Sequence, residues 1–135
     1  MNVLDLPLKK QYYLMIESGI KPDEYRRITP YWCNRLLGSC PLGIKNYWEP
    51  VLERIFEDIS EYGERMPNSY NLQNLLIGQY GVRDYTHVRF RYGYTRRTMM
   101  FEIDHISIGL GNPDWGAPDG MMVFILKIGK RVQQP

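Results

Sequence analysis

The sequence predicts an α+β fold in which a small, mostly antiparallel sheet or barrel is flanked by helices. Apolar residues recur with the helical period of about 3.6 in the first half of the chain, and with a period of two after residue 86. A strand and helices followed by a run of strands is the pattern of an α+β domain. At 135 residues the chain is long enough for one domain with its own core.

The first half is predicted to form one strand and three helices, at residues 3–6, 8–18, 30–38 and 46–62. Pro7 is expected to stop the strand. Gly19 stands where a left-handed helix cap is needed, and Pro22 prevents the helix from continuing. Residues 24–28 are therefore predicted to be extended.

The second half is predicted to form three strands, near residues 87–92, 98–108 and 121–128. In the first of them apolar and polar residues alternate, so Arg89 and Arg91 are expected to face away from the core. In the second the apolar phase slips, which indicates a bulge around residues 104 and 105. The third is apolar on both faces, as expected of a strand covered on both sides. Residues 63–86 are predicted to be mostly irregular.

One charged stretch is the octet GIKPDEYR, residues 19–26. Glu24 and Arg26 are two apart in an extended segment, so they share one face. A carboxylate beside an arginine stays ionised and accepts hydrogen bonds, while a partly buried Lys21 can lose its proton and act as a base or nucleophile. The octet is therefore interpreted either as the edge of a pocket or as a solvated strand edge.

A second charged stretch lies on the strand–turn–strand unit after residue 86. Its arginines, interleaved with tyrosines, are Arg89, Arg91, Arg96 and Arg97. An outward row of arginines beside Tyr94 suits phosphate contacts combined with base stacking. The alternative interpretation is a solvated face with local ion pairs to Glu102 or Asp104.

Several classes of protein are excluded by the sequence. No apolar run approaches the roughly 18–20 residues of a membrane helix, and residues 1–10 do not form a secretory signal. Cys33 and Cys40 are interpreted as free thiols of a cytoplasmic protein. His87 and His105 do not have metal-ligand spacing, so neither a metal nor a cofactor is predicted. The net charge of +2 indicates no partner by itself.

Four motifs together resemble the ASCH-domain family, which is related to the PUA RNA-binding domain. They are LPLKK at 6–10, the octet with its G-x-K-x-x-E-x-R pattern, FRYGY at 90–94, and the 109–129 segment with GLG, WGA and LKIG. The resemblance implies a PUA-like antiparallel β-barrel with flanking helices. It also implies one ASCH-like domain over residues 1–135, with a helical insertion at about 44–80.

The resemblance further implies that RNA or a nucleoside or nucleotide binds in a cleft built from the octet. Some relatives hydrolyse N4-acetylcytidine with a lysine, a threonine and a glutamate, and others cleave RNA. Lys21 matches the lysine and Glu24 occupies the threonine position, so these two are the candidate catalytic residues of a possible hydrolase. The predicted ligand-binding residues are Arg26, Trp32, Arg89, Arg91, Tyr94 and Trp115. A third hypothesis is a protein-interaction module that uses the 46–62 helix.

Overall fold

A computed structural model describes residues 1–38, 46–61 and 72–135, with the side chains of 46–61 described as far as residue 57. Predictions for residues 39–45 and 62–71, which include Cys40 and parts of the insertion, lie outside the described residues. The elements in chain order are β1 (Val3–Leu8), α1 (Lys10–Glu17), β2 (Asp23–Arg27), α2 (Pro30–Leu36), α3 (Trp48–Glu61), a π-helical segment (Gln73–Gly78), β3 (His87–Tyr92), β4 (Thr98–Leu110), a 3-10 turn (Pro113–Trp115) and β5 (Met122–Val132).

The five strands form one curled sheet in the order β1-β3-β4-β5-β2. Among the described strands, β1 pairs with β3 in parallel, and the other three pairings are antiparallel. The curl brings the two edge strands together. They are joined by a 3.3 Å hydrogen bond that the Arg26 side chain on β2 donates to the Pro7 carbonyl on β1. The sequence prediction of an α+β fold with a barrel-like sheet is confirmed at this level.

The first strand does not stop at Pro7 as predicted but continues to Leu8. The Gly93 amide on the β3 side donates to the Leu8 carbonyl at 2.9 Å, so the Pro7 backbone faces the opposite, free edge. A proline is tolerated there because no ladder hydrogen bond requires its missing N–H. The first helix consequently begins at Lys10 rather than at Leu8.

Residues 72–80 were predicted to be mostly irregular, and this is wrong: they are helical, because Leu72 and Leu76 pack into the main core. The remaining predicted elements agree with the structure to within a few residues. Gly19 has a φ of 84° and ends α1 in the left-handed conformation. Thr29 caps α2 by accepting a 3.2 Å hydrogen bond from the Trp32 amide. The bulge in β4 lies slightly earlier than predicted, with register shifts on either side of Ile103.

The main core fills the concave face of the sheet, and a smaller cluster lies on its other face. The helical segments between residues 46 and 80 contribute the buried residues Trp48, Leu52, Leu72 and Leu76 to the main core. The smaller cluster consists of Tyr25, Ala117 and Val123. The prediction that the last strand is covered on both sides is confirmed, because Phe124 and Leu126 belong to the main core while Val123 belongs to the smaller cluster.

Candidate functional site

The lysine of the octet is buried. After the Gly19 cap, the Lys21 amide donates to the Met15 carbonyl at 3.1 Å, which turns the chain back toward the core. The side chain is fully shielded, and its ammonium lies over the rings of Tyr12 and Tyr25, at 5.5 and 4.5 Å from their centroids. Nζ donates a 3.2 Å hydrogen bond to Glu24 Oε1. The ammonium is thus held by one carboxylate and two aromatic faces.

Glu24 and Arg26 share the concave face of the sheet, as the sequence predicts. They lie opposite Leu126 and Phe124 of β5, which belong to the main core. Glu24 is 5% exposed, and its Oε2 atom is 3.7 Å from Nη1 of Arg26. The side chains of the buried Lys21 and Glu24 and of the partly buried Arg26 therefore form one group of charges, which we name the seam cluster.

The seam cluster satisfies backbone groups on the free edges of the sheet. Glu24 Oε1 accepts from the Tyr25 amide at 2.8 Å, and Arg26 Nη1 donates to the Tyr25 carbonyl at 3.1 Å. Arg26 Nη2 reaches across to the Pro7 carbonyl of β1. Edge strands expose unpaired N–H and C=O groups that promote aggregation unless something covers them. Here the charged side chains cover the edges at the point where β1 and β2 approach each other.

A cleft of about 460 Å³ opens beside the seam cluster. Its lining includes Tyr12, Tyr25, Arg26, Arg27, Thr29, Trp32 and residues of the 113–123 segment. Two arginines and no carboxylate occur among the described residues that line it. The cleft is therefore electropositive at its wall, although the carboxylate of Glu24 lies behind it.

Arg26 is held firmly at the cleft wall. Its guanidinium lies 5.0 Å from the ring centre of Trp32, and Arg35 approaches the same ring at 5.7 Å. The Thr29 cap orients the first turn of α2 and so places Trp32 beside β2. Arg27, in contrast, is exposed and forms no ion pair or side-chain hydrogen bond within the described part of the chain. One arginine is thus preorganised and the next is free to contact a ligand.

The opposite wall of the cleft is formed by the loop between β4 and β5. The Asn112 side chain accepts from the Asp114 amide at 2.9 Å, and the Asn112 amide donates to the Tyr25 hydroxyl at 3.2 Å. Gly116 has a φ of 96°, and a Cβ atom there would lie 2.7 Å from Tyr12 Cζ. Glycine is therefore required at this position both by the backbone conformation and by the contact with Tyr12.

The electrostatics of Lys21 follow from its position. Burial lowers the pKa of its ammonium, while the neighbouring Glu24 carboxylate opposes that shift. Neither residue lines the cleft. Two buried atoms, Glu24 Oε2 and Arg26 Nε, have no hydrogen-bond partner among the described residues. The seam cluster therefore contains one hydrogen-bond acceptor and one donor that have no partner in the described part of the chain.

The other predicted ligand-binding residues do not line the cleft, although Trp115 packs beside it. Arg89 and Arg91 alternate with the buried Val88 and Phe90, so they occupy the convex face of the sheet, opposite to Arg26. Arg89 donates to Asp5 at 3.1 Å and to Gln134 at 3.0 Å, while Arg91 donates to the Thr95 carbonyl at 2.9 Å. Tyr94 is 97% exposed in the β3–β4 turn. Trp115 packs against the smaller apolar cluster.

The structure thus brings together Lys21, Glu24, Arg26 and Trp32, but it does not bring Arg89 or Arg91 to them. Sequence reasoning missed Tyr12, Arg27 and Gly116. Tyr12 and Arg27 lie close to the octet in the sequence, which was the only signal for them. Gly116 belongs to the WGA motif of the 109–129 segment, which pointed to the loop but not to this glycine.

Among the described residues, no group of three or more His, Cys, Asp or Glu side chains is placed to hold a metal ion. None of the described helices is both long enough and apolar enough to cross a membrane. Comparison with known proteins gives no relative: no family model matches the chain, and neither a curated protein nor a solved structure matches it.

Proposed function

We propose that this chain is a cytoplasmic RNA- or nucleotide-binding protein of the ASCH type, with a PUA-like barrel, and that its ligand occupies the cleft beside the seam cluster. The observation that carries the proposal is the cleft wall, which combines two arginines with aromatic rings and has no carboxylate among its described lining residues. Arginine beside aromatic surface is the combination that phosphate and base recognition uses.

The two arginines of the cleft suit an anionic group. Guanidinium–phosphate hydrogen bonds are charge-assisted and often bidentate, so they combine strength with a defined geometry. Arg26 loses little side-chain entropy on binding because Trp32 and two backbone carbonyls already hold it. The exposed Arg27 supplies a second cation whose donors are not used within the described part of the chain.

The size and the remaining lining of the cleft suit a nucleotide. Small-molecule sites span about 300–1,000 Å³ and are mostly apolar with a few polar groups, and this cleft measures about 460 Å³. The rings of Tyr12 and Tyr25, together with Pro113 and Pro118, supply apolar surface for a base or a ribose.

Hydrolysis is less well supported than binding. A general base or nucleophile must come within hydrogen-bond reach of the substrate. Lys21 has a fully shielded side chain, and neither it nor Glu24 lines the cleft. Its ammonium is occupied by Glu24, whose carboxylate also accepts the Tyr25 amide. In this geometry both residues support Arg26 from behind.

The test is isothermal titration of the protein with ribonucleoside 5′-monophosphates and with the matching nucleosides. We expect the monophosphates to bind more tightly than the nucleosides, and Arg27→Gln to raise their Kd about tenfold, which corresponds to ~1.4 kcal/mol. Arg54→Gln removes an exposed arginine from α3 and serves as the matched control, with no change expected. Absence of binding at millimolar nucleotide, or equal affinity for nucleoside and nucleotide, would overturn the proposal.

A further inference from the structure

The turn between β3 and β4 and Arg26 of the cleft wall lie on either side of β1, although they are far apart in the sequence. Gly93 of the turn donates to the Leu8 carbonyl at 2.9 Å, and Arg26 of the cleft wall donates to the Pro7 carbonyl at 3.3 Å. Consecutive Cα atoms are only about 3.8 Å apart. Arg26 and the turn therefore bind opposite edges of β1, at the consecutive residues Pro7 and Leu8.

The start of α1 completes this surface. A Cβ atom at Gly93 would lie 3.5 Å from Cε of Lys10, and the Lys10 ammonium lies 5.3 Å from the ring centre of Tyr92. The turn and the β1–α1 junction are thus in contact. The cations that they gather are Lys9, Lys10, Arg91 and Arg96, which we name the tip cluster.

The tip cluster is not neutralised within the described chain. The carboxylates nearby bind other arginines: Glu17 holds Arg97 with hydrogen bonds of 2.7 and 3.0 Å, and Asp5 holds Arg89 at 3.1 Å. The four cations of the tip cluster form no ion pair with any described residue. Tyr94, 97% exposed, projects from the same turn.

We propose that the tip cluster is a second contact for single-stranded RNA, binding the phosphates that follow a nucleotide held in the cleft. This rests on the proposed function and extends it from one nucleotide to a strand. Unpaired cations along a short path, next to an exposed tyrosine on which a base can stack, are the elements of sequence-tolerant single-strand binding. Continuity through Pro7 and Leu8 gives the strand a path from Arg26 to the turn.

The roles of the individual arginines differ from the sequence-based expectation. Arg96 and Lys10 are exposed and unpaired, so their charge is available to phosphates. Arg91 donates to the Thr95 carbonyl and shapes the turn. Arg89 lies on the convex face and is bound to Asp5 and Gln134. The RNA path therefore uses the tip cluster at the turn and does not use Arg89.

The experiment compares a mononucleotide with single-stranded RNA oligomers of increasing length, for the wild type and for the double variant Lys10→Gln with Arg96→Gln. Binding is measured by calorimetry for the mononucleotide and by fluorescence anisotropy for the oligomers, each at several salt concentrations. We expect the double variant to bind the mononucleotide normally and the oligomers at least about tenfold more weakly. The slope of log K against log salt should fall by about 1.4, since each lost phosphate contact on a single strand removes about 0.7.

The matched control is Arg54→Gln with Lys127→Gln, which removes the same charge from α3 and β5. If the control weakens oligomer binding as much as the tip variant does, net charge explains the effect and the inference fails. If the tip variant keeps wild-type oligomer affinity and salt slope while the mononucleotide binds, the inference fails and the proposed function stands. If the mononucleotide does not bind the wild type, the proposed function fails, and the inference fails with it.

Discussion

The seam cluster and the tip cluster are both rich in charge, but they occupy opposite environments. Lys21 and Glu24 are nearly inaccessible and are bonded to each other. Lys10 and Arg96 are exposed and have no ion-pair partner among the described residues. The comparison shows that the position of a charged run relative to the sheet edges decides its role, and that its composition does not.

The physical reason lies in what each region must satisfy. Where β1 and β2 approach each other, backbone groups would remain unpaired, and the charged side chains of the seam cluster supply the hydrogen bonds that these groups need. The turn between β3 and β4 bonds its own backbone through Thr95 and Tyr92, so its cations are free to point into solvent. The charged groups of the seam cluster therefore bond to the fold itself, whereas those of the tip cluster remain available to bind a ligand.

The largest expected difference between the clusters is in stability. Glu24→Ala leaves the Lys21 ammonium buried without its partner, and removing one member of a buried pair costs about 3–5 kcal/mol. Arg96→Ala, on the exposed turn, should change the free energy of unfolding by no more than about 0.5 kcal/mol. Urea denaturation followed by circular dichroism measures both.

A double replacement sharpens this prediction. Lys21→Met combined with Glu24→Leu removes both charges while keeping similar volumes, and we expect it to cost less than the sum of the single changes, because no unpaired charge remains. A Glu24→Ala protein that loses less than about 1 kcal/mol would show that the seam cluster does not stabilise the fold.

A smaller effect on stability is expected from substituting two glycines in the loop between β4 and β5. Gly116 and Gly120 both have positive φ, at 96° and 67°, but an added Cβ atom would meet another residue, Tyr12, only at Gly116. Gly120→Ala should cost about 1–2 kcal/mol from backbone conformation alone, whereas Gly116→Ala should cost roughly 1–3 kcal/mol more because Tyr12 must move. Thermal denaturation and nucleotide titration check this. Equal effects of the two substitutions would contradict the packing of Tyr12 on Gly116.

The smallest expected effect is on the pH dependence of stability. Burial places the pKa of Lys21 below its ordinary value of 10.5. Between the folded and unfolded pKa values the unfolded chain binds more protons, so the free energy of unfolding rises with pH across that window. We expect the wild type to gain stability relative to Lys21→Met as the pH increases toward 10.5.

The measurement is the difference in unfolding free energy between wild type and variant over a series of pH values. Burial raises the pKa of Tyr13 and Tyr25 above 10.0, which opposes the trend at high pH. Tyr25 contacts the Lys21 ammonium, so its contribution can differ between the two proteins. The comparison is therefore made below pH 10.0, where neither tyrosine contributes much. Parallel curves for wild type and Lys21→Met would show that Lys21 has an ordinary pKa.

Much of the fold could be predicted from local signals. The Gly19 cap, the extended segment after Pro22, the start of α2 at Pro30 and the bulge near Ile103 each depend on residues close together in the sequence. Pro7 was misread because its effect depends on a non-local fact, namely that β1 lies at an edge and turns its unpaired side away from β3. A single sequence does not specify which strand is at the edge.

The candidate site was predicted only in part, because it too depends on contacts between residues that are far apart in the sequence. Two-residue periodicity correctly places Glu24 and Arg26 on one face and Arg89 on an outward face. The complete burial of Lys21 follows from the curl of the sheet, which sets two strands distant in sheet order side by side. Arg89 is separated from Arg26 because the two side chains lie on opposite faces of that sheet. Tertiary closure of this kind leaves no local pattern in the sequence.

The most direct test of this account is an NMR titration of the 15N-labelled protein with a ribonucleoside 5′-monophosphate. The account places a single nucleotide in the cleft and assigns the tip cluster to longer strands. We therefore expect the largest shifts at the Trp32 indole N–H and the Gly116 amide, with the amides of Gly93 and Tyr94 unchanged. Shifts concentrated at Gly93 and Tyr94, or no shift at Gly116 at saturating nucleotide, would contradict it.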